Sequence, residues 1–245
     1  MLAIIAALED ELSAIVAAAR DEGEICSEKV AGVTLLHARL AGRDVLLTLS
    51  GVGKVAAATT AAVLAERASG MIHVGTAGGI GKDVNPGDIV IATELLQHDL
   101  DARPLWDRWV SPVVGKTRIP ADAYLTAALA GAAVGAVAGH RAALASLGLD
   151  DPTVRPGLII SGDVFVNTAE GSAKLRSELP DALAVEMEGA AVAQVCAMAG
   201  IPFAVARTIS DRADQDANVD FPAFLRKIAA PYARDLVVGA LKVLD

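Results

Sequence analysis

Two glutamates lie inside an otherwise apolar stretch of the sequence. Glu186 and Glu188 belong to "VEMEGAA", residues 185–191, and are separated only by Met187. Residues two apart in extended backbone point to the same side, so the two carboxylates would share a face. An unpaired buried carboxylate is costly, so the pair should face a cavity, a partner or a ligand such as the vicinal hydroxyls of a sugar. A solvated turn before a helix is the alternative, because helix N-termini also favour glutamate.

Further acidic residues follow the first and last apolar runs. "TISDRAD", residues 208–214, places Ser210 and Asp211 at the end of such a run, where capping of a helix is the alternative role. "ALEDELSAI", residues 7–15, places Glu11 in the first turn of a predicted helix, which the helix dipole also favours. Ligands of α/β sheets bind outside the carboxyl ends of the strands, so these carboxylates could meet in one crevice.

Other common catalytic patterns are missing from the sequence. "SGVGKVAAA" and "VGTAGGIGKD" contain neither a complete P-loop nor a GxGxxG motif. Their glycines either let backbone approach a ligand closely or form structural turns. The four histidines form no HxxxH or HExxH pattern, the two cysteines form no CxxC pair, and no serine lies in a GxSxG elbow. We therefore expect no metal, no cofactor and no serine hydrolase.

Composition and charge restrict the partners of the chain. Its 245 residues are 53% hydrophobic and 3% aromatic, so the core must consist mainly of Ala, Val, Leu and Ile. The net charge of −9 argues against a nucleic-acid or anionic membrane surface. The start, "MLAIIAALEDEL", lacks the basic region of a secretory signal, and the Ala-rich run at 123–139 is short for a membrane span. We expect a cytoplasmic protein that binds neither nucleic acid nor membrane.

Short apolar runs alternate with helical patterns along the chain. The apolar runs have the length of buried strands and lie at 2–8, 45–53, 71–79, 88–95, 157–166, 183–188 and 203–211. The helical patterns lie at 9–20, 54–69, 189–199 and 221–243. Two extended runs flank "AGRD", residues 41–44, which predicts a hairpin. We expect one α/β domain over residues 1–245, with a mixed, mostly parallel sheet covered by helices on both faces.

Seven segments together resemble one enzyme family. They occur in the order "AALEDEL", "SGVGKVAAA", "VGTAGG", "GDIVIA", "LIISGDVFVN", "AVEMEGAAVAQVC" and "TISDRAD". This order is similar to that of bacterial 5′-methylthioadenosine/S-adenosylhomocysteine nucleosidases, which belong to the purine nucleoside phosphorylase superfamily. The resemblance implies a three-layer αβα sandwich and cleavage of the N-glycosidic bond of a 5′-substituted adenosine, with release of adenine.

The same resemblance implies roles for individual residues. Glu11 would activate the attacking water, Asp211 would protonate adenine N7, and Glu188 would bind the ribose hydroxyls. The remaining implied contacts are with the base, the sugar or the water. Phe165 and Val166 hold the adenine, Met187 and Glu186 support the ribose site, Thr76 lies near the water, and Ser210 orients Asp211. Ala77 and Gly78 bind the substrate, and Leu8, Val52 and Phe221 line the pocket.

One region departs from the family pattern. After "QHD", residues 97–99, the family usually continues with an aromatic stretch that reaches into the neighbouring subunit's pocket, whereas this chain has "LDARPLWDRWVSPVVGKTRIP". Trp106 and Trp109 could supply the same lid across a homodimer interface, or they could anchor an exposed loop. The preferred 5′-substituent therefore stays open. A phosphate-dependent nucleoside phosphorylase and a non-catalytic nucleoside-binding protein are the alternative functions.

Overall fold

The computed structural model describes residues 1–149, 151–213 and 221–244. The strands within these residues are β1 (Leu2–Ala6), β2 (Cys26–Val30), β3 (Val33–Leu40), β4 (Arg43–Leu49), β5 (Gly70–Gly79), β6 (Ile89–Gln97), β7 (Ile119–Pro120), β8 (Val154–Ser161), β9 (Ala182–Glu186) and β10 (Phe203–Asp211). The helices are α1 (Glu9–Arg20), α2 (Lys54–Ala65), α3 (Ala123–Gly139), α4 (Arg141–Ala145), α5 (Ala169–Glu178), α6 (Gly189–Ala199), α7 (Phe221–Phe224) and α8 (Ala230–Val243), and a π-helical turn (Leu225–Ala229) joins the last two.

The strands form one mixed sheet whose larger half closes on itself. β10 pairs in parallel with β5 and antiparallel with β6, so β5, β9, β8, β6 and β10 make a closed ring. β1, β4, β3 and β2 extend outward from β5. The mixed α/β fold is confirmed, but the expected three-layer sandwich is wrong for the closed half, where the sheet forms a barrel. Register shifts in β6, β9 and β10 interrupt the ladders there, and such bulges bend and twist a sheet.

The sheet is mixed, as expected. The described strands form five parallel and five antiparallel pairs. The predicted hairpin around residues 41–44 is confirmed as β3 and β4. The antiparallel strand β2 was not predicted, because its sequence "CSEKV" is polar and almost wholly exposed.

Helices cover both faces of the sheet, as expected. On β1, Ile4 packs into a cluster with α1, α3 and α8, whereas Ile5 packs into a second cluster with α2 and α6. This alternation follows from the two-residue period of a strand, and it explains why the strands of the sequence are apolar throughout. A smaller cluster beneath α5 is formed with β8 and β9. In the described part of the chain, no helix combines the length and hydropathy needed to span a membrane.

Candidate active site

A cavity of about 420 Å³ opens where several strands reach their carboxyl ends. Its volume lies in the range of small-molecule sites. Its walls come from the residues that follow β1, β4 and β8 and from the last residues of β5, β9 and β10. The lining side chains are mostly apolar, with a few polar groups among them: Ala7, Leu8, Val52, Thr76, Ala77, Gly78, Val164, Phe165, Val166, Asn167, Val185, Glu186, Met187, Glu188, Ser210, Asp211 and Phe221.

The structure brings nearly all of the predicted site residues together in this cavity. Apart from Glu11 and the two tryptophans, each of them lines its wall. Four further lining residues were not assigned a role from the sequence: Ala7, Val164, Asn167 and Val185. Each is next to a predicted residue in the chain, so the segments were found correctly although these members were missed.

Glu11 is fully buried behind the cavity wall. The N–H of Leu8, a lining residue, donates to its Oε2 at 2.9 Å, whereas its Oε1 has no hydrogen-bond partner among the described residues. Burial raises the pKa of Glu11 to about 7, although the Leu8 bond and the nearby Arg207 charge oppose the rise. The side chain can therefore exchange a proton near neutral pH, which is what a general base requires.

Glu188 does not share a strand face with Glu186, so that expectation is wrong. β9 ends at Glu186, and the chain turns at Met187 so that Glu188 becomes the N-cap residue of α6. The alternative of a solvated turn before a helix is correct about the turn, but the two carboxylates are buried and not solvated. The Gly53 N–H donates to Glu188 Oε1 at 2.8 Å. Burial and then the Glu186 charge raise the pKa of Glu188 to about 7.

Glu186 is held by the protein itself. It forms a buried ion pair with Arg207, whose Nη2 lies 2.6 Å from Glu186 Oε2. It also accepts hydrogen bonds from the hydroxyl of Ser161 and from the main-chain N–H groups of Glu188 and Gly189. Because its oxygens are occupied in this way, Glu186 supports the position of Glu188 from behind.

Arg207 is the residue that sequence reasoning missed. Its side chain is fully buried, and it lies within hydrogen-bond distance of the His73 ring and carbonyl oxygen as well as Glu186. Burial first, and then the Arg207 charge, lower the pKa of His73 well below its usual value, which keeps the ring neutral beside the guanidinium. The available signal was a lone cation inside the apolar run "FAVARTISD", since a buried charge requires a partner.

Asp211 is oriented by two neighbours at the end of β10. The Ser210 hydroxyl donates to Asp211 Oδ2 at 2.7 Å, and the Ala213 N–H donates to Oδ1 at 2.7 Å. A Cβ placed on Gly78 would lie 2.8 Å from Ala213 Cβ and 3.3 Å from Asp211 Oδ1, so a larger residue would displace the Ala213 segment that holds this carboxylate. Asp211 thus projects into the cavity in a single orientation.

Neither tryptophan lines the cavity of its own chain. Trp109 donates from Nε1 to the His98 carbonyl at 2.9 Å, and Arg108 stacks over its ring. Trp106 is about half exposed, at 47%. Across the described residues, no group of three or more His, Cys, Asp or Glu side chains is arranged to hold a metal ion.

The profile of the Phosphorylase superfamily matches residues 1–242. The chain belongs to this superfamily. It is 36% identical over 247 residues to a 5′-methylthioadenosine/S-adenosylhomocysteine nucleosidase of Geobacillus sp. (strain WCH70), with 100% of this chain and 99% of that protein covered. The match also places the chain in that nucleosidase family, whose members are N-glycosyl hydrolases, so the predicted family and enzyme class are confirmed.

Two solved structures of the superfamily illustrate the likeness. The 5′-methylthioadenosine/S-adenosylhomocysteine nucleosidase of Neisseria meningitidis in complex with methylthio-immucillin-A superposes with a TM-score of 0.83 at 34% identity, covering 99% of both chains. The futalosine hydrolase of Helicobacter pylori superposes with a TM-score of 0.80 at 28% identity, covering 99% of this chain and 97% of the other. Hydrolases with different names thus share this fold.

Proposed function

We propose that this nucleosidase cleaves the N-glycosidic bond of 5′-methylthioadenosine, S-adenosylhomocysteine or a related 5′-substituted adenosine, releasing adenine. The observation that carries the proposal is the placement of Glu188 and Asp211 on an apolar cavity, with buried Glu11 directly behind its wall. The named relatives support the same substrate class. A buried carboxylate that titrates near neutral pH, beside carboxylates held in fixed orientations, suits acid–base chemistry at a bond that develops positive charge on the sugar.

In the proposed reaction, the C1′–N9 bond breaks and its electron pair stays with adenine. Asp211 donates a proton to N7, which makes adenine a better leaving group, and the Ser210 bond aims the carboxyl group. A water attacks C1′ as it becomes cationic, and the unpartnered Oε1 of Glu11 accepts the proton of that water. The carboxylates also stabilise the positive charge on the sugar electrostatically.

The substrate is proposed to lie across the cavity with its sugar at Glu188. The carboxylate oxygens of Glu188 would accept hydrogen bonds from the ribose hydroxyls, while Glu186 and Met187 support the ribose end of the cavity. Phe165 and Val166 would hold the adenine by ring stacking and main-chain hydrogen bonds. Thr76 is proposed to lie near the water, and Leu8, Val52 and Phe221 would enclose the rest of the ligand.

Water is the preferred nucleophile over phosphate. None of the described residues that line the cavity is a lysine or an arginine, and a phosphate site requires such cations. The deciding experiment measures adenine release from 5′-methylthioadenosine with and without phosphate and identifies the sugar product. Free methylthioribose without phosphate supports the nucleosidase. A sugar 1-phosphate would make the protein a phosphorylase, and no release from any 5′-substituted adenosine would favour the binding-protein alternative.

The protein is further proposed to act in the cytoplasm as a homodimer in which residues 100–120 contribute to the interface. Leu105 and Trp106 are exposed apolar side chains of this segment, at 85% and 47%. Such side chains would cover the partner's cavity in a dimer. Light scattering should therefore give twice the chain mass. A fully active monomer would refute the dimer and the lid together.

A further inference from the structure

Three charged residues beside the cavity close a ring of hydrogen bonds. The Lys54 N–H donates to Asp163 Oδ1 at 2.7 Å, and the Asp163 N–H donates to Asp99 Oδ2 at 2.9 Å. The Lys54 ammonium then returns to Asp99 Oδ1 at 2.6 Å. Each member uses two groups, so the ring ties together the start of α2, the end of β6 and the segment after β8.

The ring holds one end of a segment that is mostly exposed. Residues 164–167 lie in neither helix nor strand, and Val164 and Phe165 are 60% and 70% exposed. Among the described residues, hydrogen bonds attach this stretch to the protein at its two ends. At one end, Gly162 donates its N–H to the Glu186 carbonyl and Asp163 donates its N–H to Asp99. At the other end, Thr168 caps α5. Val166 packs against the cluster beneath α5, but the exposed Val164 and Phe165 stabilise the segment weakly, so the position of Phe165 depends largely on these end contacts.

The same helix start also holds the proposed sugar site. Gly53 donates its N–H to Glu188, and the next residue, Lys54, donates its N–H to Asp163. The two N–H groups belong to consecutive peptide planes that meet at the Gly53 Cα, so the anchor of the sugar-binding carboxylate and the anchor of the segment with Phe165 are adjacent in the chain. Gly53 adopts a φ of +93°, and a Cβ there would lie 3.1 Å from Asp163 Oδ1, so the close approach suits glycine.

The charges of the ring agree with its geometry. The Lys54 and Asp99 side chains are only 17% and 25% exposed. Burial alone would raise the pKa of Asp99, but the bonds from Lys54 and Asp163 outweigh it and the pKa lies below its usual value of 3.8. Both carboxylates are therefore paired with a cation or with main-chain N–H groups.

We propose that Asp163, held by Lys54 and Asp99, is a positioning residue that sets the adenine-binding segment 164–167 at a defined distance from Glu188. The inference rests on the proposed function, in which this segment holds the base. With the ring open, the segment must be ordered when the base binds, and that ordering weakens binding. The Lys54 and Asp99 side chains are partly exposed, so opening the ring should affect the position of the segment more than the stability of the fold.

The test measures adenine affinity by calorimetry and thermal midpoint without ligand. Asp163→Ala and Lys54→Met should each weaken adenine binding by about three- to tenfold, which is the size expected for the net loss of one ordinary hydrogen bond. Lys54→Met keeps the main-chain N–H, and Asp163→Asn keeps an oxygen acceptor and should recover most of the affinity. Lys29→Met, at an exposed position of β2, changes the charge equally and is the control, with affinity unchanged.

A double variant distinguishes a ring from independent contacts. Lys54→Met combined with Asp99→Asn should bind adenine no more weakly than the more severe single variant, because either change already opens the ring. Affinities of Asp163→Ala and Lys54→Met equal to that of Lys29→Met would overturn the proposal, as would a lower thermal midpoint with unchanged affinity. Adenine release by the wild type tests the proposed function separately. If the wild type releases adenine but the ring variants bind it normally, only the positioning proposal fails. A wild type that neither releases nor binds adenine would overturn both.

Discussion

Replacing Glu11 by glutamine should make the folded protein more stable at pH 8 while removing its activity. Burial raises the pKa of Glu11 from its usual 4.5 to about 7. The folded protein therefore binds more protons than the unfolded chain between these values, and its stability falls as the pH rises through this window. At about 1.4 kcal/mol for each pH unit between the two values, the ionised carboxylate destabilises the fold by about 3 kcal/mol above pH 7.

Glutamine removes this charge in nearly the same volume and keeps an oxygen that can accept from the Leu8 N–H. The advantage of Glu11→Gln over the wild type should therefore grow by about 2 to 3 kcal/mol between pH 5 and pH 8. In a protein of this size, that corresponds to a rise in melting temperature of roughly 4 to 12 °C at the higher pH. Turnover should fall by at least about 10²-fold, because the water loses its base.

The assay is urea unfolding at pH 5 and pH 8 together with adenine release. Glu9→Gln is a matched control, because Glu9 lies exposed in the same first turn of α1 and undergoes the same charge change. Glu188 is present in all of these proteins, so its own titration largely cancels. If Glu11→Gln and the wild type keep a constant difference in unfolding free energy from pH 5 to pH 8, the reasoning about the buried carboxylate is refuted.

Three further substitutions test other parts of the site. Asp211→Asn should lower turnover by at least about 10²-fold with an unchanged circular dichroism spectrum, and a rate near the wild type would remove Asp211 from the acid role. Arg207→Met should reduce the unfolding free energy by about 3–5 kcal/mol, because Glu186 is left buried without its cation. Adding Glu186→Met should recover part of this loss, and no recovery would contradict the pairing. Gly78→Ala should lower turnover, because its Cβ would lie 2.8 Å from Ala213 Cβ and 3.3 Å from Asp211 Oδ1. Gly131→Ala, with nothing within 4 Å of its Cβ, is the control and should keep the wild-type rate.

Local patterns in the sequence predicted the elements and most of the cavity. The apolar runs and helical periodicities give the order of most long elements, and each predicted strand and helix is present, whereas α5 was not predicted. Polar residues that follow the strands, such as Asp211 and Glu188, line one cavity as expected, because carboxyl ends of neighbouring strands lie at one edge. These features depend on residues close together in the chain.

The tertiary structure decided which strands are neighbours. The closed ring of β5, β9, β8, β6 and β10 requires β10 to pair with both β5 and β6. It also requires β5 to pair with β9, where Gly78 lies opposite Val185, a residue far away in the sequence. Hydrophobic periodicity reports only which side of a strand is buried, so it cannot choose between an open sheet and a closed one.

For the same reason, local patterns could not show which buried charges pair with each other. From the sequence, Glu186 required a partner, and Arg207 was a lone cation in an apolar run, but nothing local joined the two. They meet because β9 and β10 both flank β5 and direct these side chains into one buried space. Identity and order of the reactive groups were thus determined by the sequence itself. Their pairing, burial and shifted pKa values exist only in the folded protein, because each depends on groups that long-range contacts bring together.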